Sequence, residues 1–298
     1  MDPLILFFAL VNGLLVGCLY GGVALGLSLI FGVLRVINFA HGSFLMLAMY
    51  ASYYLWDRFG MHPYLSGVVV APALFLIGYA VQARVIAPLF NRERAMVVEP
   101  LSALLVTAGV YLVIDNLVLM YFGPDVRTVS VDIAGESLFL MGLPVSLPRL
   151  IAALSAIAIA LALSFWLRHS DLGRSVRATA QNRDAAALSG INVRNIYNVT
   201  FGLGCAIVGL FGTLMIVFLP VKPTTGLAFG IKSFLVVVLG GIGSISGSLV
   251  GGIVLGIFES IASQFVTATS AAMFSFGLFI AVLLFRPSGI MGAKLSKR

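Results

Sequence analysis

Apolar residues run along this chain in nine blocks, at about 5–30, 37–56, 64–83, 101–121, 150–167, 195–219, 229–240, 246–266 and 270–285. A helical crossing of a hydrocarbon core needs about 20 mainly apolar residues. Most blocks reach or approach that length, while 229–240 is short. None shows the alternation over about 10 residues that a barrel strand requires. Backbone polar groups in lipid must be satisfied within the segment itself. The pattern therefore predicts an all-α, polytopic transmembrane helical bundle of about 8–9 membrane segments. The polar stretches between blocks are too short for an extra-membrane domain, so residues 1–298 read as a single transmembrane domain. Met1-Asp2-Pro3 carries no basic residue, and the first apolar run outlasts a signal's core of about 7–15 residues. The N-terminus is therefore expected not to be a cleaved signal.

Loop charge orients the bundle. The stretch 84–99 holds Arg84, Arg92 and Arg94; 168–194 holds Arg168, Arg174, Arg177, Arg183 and Arg194; the tail holds Arg286, Lys294, Lys297 and Arg298. An excess of Lys and Arg marks the cytoplasmic side. The stretch 122–148 has one basic residue, Arg127, against Asp125, Asp132 and Glu136, and reads as external. Its Gly123-Pro124 and Gly142-Leu143-Pro144 are turn-forming. Three spans before 84–99 place the N-terminus outside. An internal tail then needs an odd number of crossings after residue 229. Three fit if one of them is short or broken, the favoured reading; two would put the basic tail outside.

Composition agrees with the pattern. Hydrophobic residues make up 60% of the chain and charged residues 10%, against about 25% charged in globular proteins; mean hydropathy is +1.10. This excludes a soluble enzyme, a disordered chain and a nucleic-acid-binding domain. The net charge of +7 lies in loops between apolar runs, as membrane topology requires. Cys18 and Cys205 sit singly in apolar runs, and the histidines are scattered, so neither a disulfide framework nor a metal site is expected. Ser246-Gly247 lacks the upstream glycine and downstream histidine of an intramembrane serine protease. No catalytic residue is expected.

Glycine changes the picture more. The densest stretch is Gly240-Gly241-Ile242-Gly243-Ser244-Ile245-Ser246-Gly247-Ser248, among 32 glycines in all. Small residues let helices pack closely in lipid, but such a run also breaks a helix. Broken helices at membrane depth are tolerated where they are buried in protein or line a watery path, and they mark transport sites. Gly240, Gly241, Gly243 and Ser244 are thus candidate pathway residues. Ala40-His41-Gly42-Ser43 resembles Ile245-Ser246-Gly247-Ser248, which would fit an internal repeat. At helical spacing Asn38 and His41 would share a face, either bonding backbone freed by a break or touching substrate. Asp115, beside Asn116, is a carboxylate at depth and a functional candidate by default; the alternative is a satisfied helix–helix contact. Glu259 lies near the end of its run, and Lys232 is expected to snorkel to the nearer interface.

The stretch 174–194 has the marks of a short helix with defined ends. Asn182 suits an N-cap, and Asp184, after Arg183, suits the positive end of the dipole. Ala185, Ala186 and Ala187 follow, and Gly190 suits a left-handed cap. A docking helix and a solvated basic loop are both compatible with these residues.

Asp184-Ala185-Ala186, with glycine six residues after the acid, resembles the coupling motif of ATP-binding-cassette (ABC) importer permeases. Val36-Ile37-Asn38-Phe39-Ala40-His41-Gly42-Ser43 is similar to a conserved-order stretch of the branched-chain amino-acid ABC permease family (LivH type). So are Ala187-Leu188-Ser189-Gly190-Ile191-Asn192-Val193, Val238-Leu239-Gly240-Gly241-Ile242-Gly243-Ser244 and Arg286-Pro287-Ser288-Gly289-Ile290-Met291-Gly292. One departure is Ser246, where relatives commonly have proline. The resemblance implies a multi-pass permease subunit of the bacterial inner membrane, paired with a second, often different, permease chain. It also implies two ABC ATPase subunits, an external substrate-binding protein and an amino-acid substrate. The chain itself should bind no ATP: a Walker A motif needs Gly-Lys-Ser/Thr, and no lysine here follows a glycine. The rival readings are an ion-coupled secondary transporter using Asp115 or Glu259, and a non-transporting membrane scaffold.

Overall fold

A computed structural model of the protein describes residues 3–88, 99–140, 143–286 and 288–292. Arg92, Arg94, Gly142, Pro287, Lys294, Lys297 and Arg298 lie outside the described residues. Among the described residues nine long helices form the bundle: α1 (Pro3–Leu34), α2 (His41–Phe59), α3 (Pro63–Val81), α4 (Glu99–Phe122), α5 (Leu147–His169), α8 (Val193–Met215), α9 (Thr225–Gly240), α10 (Ile245–Ala262) and α11 (Ala268–Phe285). Two short helices, α6 (Asp171–Gln181) and α7 (Arg183–Leu188), join α5 to α8. A π-helical turn at Gln82–Ile86 prolongs α3. Among the described residues six helical stretches are long and apolar enough to cross a membrane, while 225–240 and 269–285 are shorter apolar helices.

Successive long helices run in opposite directions. At one end, the basic end, Arg35 just after α1 donates to Ala180 O of α6 (3.4 Å), and Tyr79 of α3 donates to Asn195 of α8 (3.0 Å). At the other end Arg149 of α5 donates to Asn12 of α1 (2.8 Å). There Arg127 pairs with Val221 through two backbone bonds of 2.9 Å. The antiparallel hairpin β1 (Ser137–Leu140) and β2 (Leu143–Ser146), in register Ser137↔Ser146, caps this second end. These strands were not expected; each is only four residues long, too short for a periodicity to show. After α8, three helices follow and the chain returns to the basic end, where Ile290 N donates to Leu239 O (2.8 Å) and Met291 N to Gly240 O (3.0 Å). The odd number of crossings matches the expectation from charge.

Local chemistry sets the helix ends. Pro63 opens α3, with His62 Nδ1 accepting from Tyr64 N (3.3 Å). Ser170, Asn192, Ser244 and Thr267 cap α6, α8, α10 and α11 by accepting from backbone N–H groups. Each bond satisfies one of the donors a helix leaves free in its first turn.

Packing is led by glycine. α1 and α10 lie against each other so closely that a Cβ on Gly17 would fall 2.6 Å from Ile253 Cα. Backbone contact of this kind drives helix association where lipid removes the hydrophobic advantage. α8 runs through the middle, 72% buried over its apolar window, whereas α4 is 17% buried. The face of α4 is thus open to lipid or a partner. Phe44, Tyr50, Phe201 and Phe211 fill the centre, with the rings of Phe44 and Phe201 edge to face at 6.2 Å.

Gly17→Val forces α1 away from α10 and lowers stability by about 1–3 kcal/mol, the usual cost of overpacking. Gly109→Val, where a Cβ meets nothing within 4 Å, leaves it unchanged. Thermal unfolding midpoints of the detergent-solubilised chain check the difference.

Candidate translocation path and coupling helix

The chain leaves helical geometry between α1 and α2 and again between α8 and α9. α1 ends at Leu34, and residues 35–40 turn back along it before α2 begins at His41. His41 Nε2 donates to Val23 O (2.9 Å). Val23 lies eleven residues before Leu34, about 16 Å along the axis at 1.5 Å per residue, so α2 starts deep in the apolar layer. The second break, 216–224, precedes α9. α9 crosses α2 where Gly42 packs on Gly226 and Gly230, so closely that a Cβ on Gly42 would overlap Gly226 O. Two helix starts therefore meet inside the bundle. The short apolar block at 229–240 has its explanation here: α9 begins within the layer rather than at its edge.

Side chains satisfy the backbone of the first break. Asn38 Oδ1 accepts from Ala40 N (3.1 Å). Thr107 Oγ1 of α4 accepts from Phe39 N (3.3 Å) and lies 3.2 Å from Ile37 O. Buried backbone groups without partners each cost about 1–3 kcal/mol, so these bonds are what permit the break. Asn38 precedes α2 instead of sharing a helical face with His41, a correction to the expected i, i+3 geometry: the break lies between the two residues. Both are buried, and Asn38 Nδ2 and His41 Nδ1 have no hydrogen-bond partner.

Ser43 Oγ donates to Asp115 Oδ1 (2.6 Å), tying α2 to α4. Asp115 therefore takes part in a helix–helix contact. Asn38, His41, Gly42, Ser43 and Asp115 form one cluster around the start of α2. Gly240, Gly241, Gly243 and Ser244 do not join it. They form the tight turn between antiparallel α9 and α10 at the basic end, with positive φ at Gly241 (108°) and Gly243 (76°). Gly32 of α1 packs on Gly243, and Ser28 Oγ donates to Ser244 O (3.3 Å). The glycine run does interrupt the helix, but as a hairpin turn. His41-Gly42 and Ser246-Gly247 each stand in the first turn of a helix, yet at different depths. The partner of the first break by position is 216–224.

A second polar group was misplaced by the sequence reading. Lys232 does not snorkel: its Nζ donates to Glu259 Oε1 (2.8 Å) and Oε2 (3.1 Å) and to Tyr20 OH (2.6 Å), joining α9, α10 and α1. Glu259 is thereby a bridging residue. Sequence offered no local sign, because the three residues stand on three different helices. Thr107 was missed for the same reason.

At the basic end α6 and α7 form a compact elbow. Asn182 Oδ1 accepts from Asp184 N and Ala185 N, both at 3.0 Å. Gly190 has φ +84°, its N–H donates to Ala187 O (3.0 Å), and Ile191 N donates to Ala186 O (3.1 Å). The predicted caps are both present. Arg183 and Asp184 point outward, Ala186 is buried, and Leu188 is 91% exposed.

A multi-pass helical bundle with a break at 35–40 and a capped helical elbow at its basic end is the fold of a polytopic membrane protein. The chain belongs to the family described as branched-chain amino acid transport system / permease component, which matches residues 9–283. It is 32% identical to the high-affinity branched-chain amino acid transport system permease protein LivH of Escherichia coli K12, over 94% of each chain. It is 30% identical to BraD, a permease protein of the same description from Pseudomonas aeruginosa, over 95% of this chain and 94% of BraD. A probable LivH from Methanocaldococcus jannaschii is 28% identical over 92% of this chain and 89% of its own. No solved structure matches the chain.

Two variants test the geometry. Thr107→Val strands Phe39 N and Ile37 O and costs about 1–3 kcal/mol, whereas Thr107→Ser retains stability; unfolding midpoints distinguish them. Lys232→Met leaves a charged Glu259 without its cation and costs about 3 kcal/mol, the low end for a buried pair because both groups keep some exposure. The double variant Lys232→Met, Glu259→Met recovers most of that loss.

Proposed function

We propose that this chain is one permease subunit of an ABC importer, carrying a branched-chain or related amino acid inward across the bacterial inner membrane. The basic end faces the cytoplasm, following the positive-inside rule, and the hairpin end faces outward, toward an external substrate-binding protein. A second permease chain stands beside this one, and two ATPase subunits dock below. They bind and hydrolyse ATP, and this chain performs no covalent chemistry.

The observation that carries the reading is the elbow at 182–190. Its ends are fixed by Asn182 and Gly190, Ala186 anchors it, and Leu188 projects 91% exposed. A short rigid helix transmits movement of a docked partner without melting. The elbow also reaches the interior break: Arg35, the one non-glycine residue with positive φ (55°) among the described residues, bonds α6 and opens segment 35–40. ATPase closure pushing on α7 would pass through α6 and Arg35 to the start of α2. Both intramembrane carboxylates at issue are engaged, Asp115 by Ser43 and Glu259 by Lys232. This favours a partner-driven mechanism over an ion-coupled carrier.

Leu188→Asp tests it. The exposed position leaves folding intact, so the protein inserts and purifies as wild type. The expected result is loss of the ATPase subunits on mild-detergent affinity purification and at least a tenfold fall in ATP-driven leucine uptake. Full recovery of the ATPase subunits with normal uptake contradicts the coupling assignment.

A further inference from the structure

Beside the first break lies a cavity of about 170 Å³. Leu27 of α1, Asn38 and Phe39 of the extended segment, Leu104 of α4, and Ile231 and Phe234 of α9 form much of its wall. Asn38 is the polar side chain among its lining residues. That residue is 3% exposed, and its Nδ2 has no hydrogen-bond partner. Phe39 and Ile231 are 48% and 41% exposed, so the cavity opens to the surface beside them.

Size limits the occupant. An apolar cavity of about 150 Å³ holds one benzene, and pockets for drug-sized ligands start at about 300 Å³. The space here takes one side chain and not a whole sugar or an extended acyl chain. Its chemistry limits the occupant further. The wall is aliphatic and aromatic, which favours an apolar group, and a wall facing only lipid would gain nothing from an unpaired amide. Its place in the fold is the third constraint: it adjoins the start of α2 and is walled by the first turns of α9. The N-cap of α9, Thr224, makes no side-chain cap bond. The first turn of α9 contributes Leu227 to the lining, so the positive end of that helix lies beside the cavity, where a carboxylate is favoured.

We infer that this cavity seats the aliphatic side chain of the amino acid in transit, with the Asn38 amide as the polar group at its wall. The inference rests on the importer reading and adds the residues that sense side-chain size. Ile231 sets the width of the seat. Binding here is brief and modest, since one methylene in an apolar pocket discriminates by only about 10–200-fold.

The test is uptake of radiolabelled leucine, alanine and phenylalanine by the complete assembly in proteoliposomes, with ATP inside and saturating binding protein outside. Ile231→Trp fills the seat and Ile231→Ala widens it. The expected result is a fall of at least tenfold in the leucine-to-alanine uptake ratio for the tryptophan variant. The phenylalanine-to-leucine ratio rises severalfold for the alanine variant. Ratios unchanged in both variants, with wild-type uptake intact, overturn the side-chain seat and leave the importer standing. Loss of the second permease chain on purification of the tryptophan variant also overturns it, and gives the cavity to a side chain of that partner. Absence of ATP-driven uptake by the wild-type assembly overturns the importer reading and the seat together.

Discussion

A chain that abandons helical geometry inside an apolar layer must find another partner for every backbone group it frees. At residues 35–40 side chains from three places hold the break. Asn38 supports its own turn, Thr107 reaches from α4 to Phe39 and Ile37, and His41 anchors the new helix on Val23 of α1. Everything that makes the fold more than a set of membrane anchors follows from this break. It lets α2 start in the interior, brings Gly42 against α9, places Ser43 opposite Asp115 and opens the cavity walled by Ile231. An all-helical crossing at the same place would bury none of these groups and create no site.

The break works because its surroundings are stiff. α1 is held to α10 by backbone contact, with Gly17 against Ile253. α9, α10 and α1 are further joined by the Lys232–Glu259–Tyr20 cluster. Against this rigid wall the segment from Arg35 to Ala40 links the elbow at 174–190 to the start of α2. Arg35 belongs to both: its side chain bonds α6, and its backbone takes a left-handed conformation that costs a non-glycine residue about 1–3 kcal/mol.

Much of this was legible in the sequence because it is local or cumulative. The apolar blocks gave the helices to within a few residues, and loop charge gave an odd number of crossings. Asn182 and Gly190 foretold the elbow, since a cap depends only on residues within one turn. What could not be read is contact between distant helices. Lys232 looked like a snorkelling lysine because Glu259 is 27 residues away and Tyr20 is 212. Thr107 carried no mark at all. The glycine run at 240–247 was the loudest signal for an interior break, yet it makes a hairpin at the basic end. Glycine reports that the backbone turns or approaches closely, but not at what depth. The quieter sign was the shortness of the block at 229–240, which reflects a helix that starts inside the layer.

The most direct measurement is solute uptake by proteoliposomes holding this chain with its co-purified partners, driven either by ATP or by an imposed proton gradient. The account predicts leucine uptake that requires ATP and the external binding protein, persists when the gradient is collapsed, and vanishes when the chain is reconstituted alone. Uptake by the chain alone, driven by the gradient and lost on its collapse, would contradict the account and make the Ser43–Asp115 pair the seat of ion coupling.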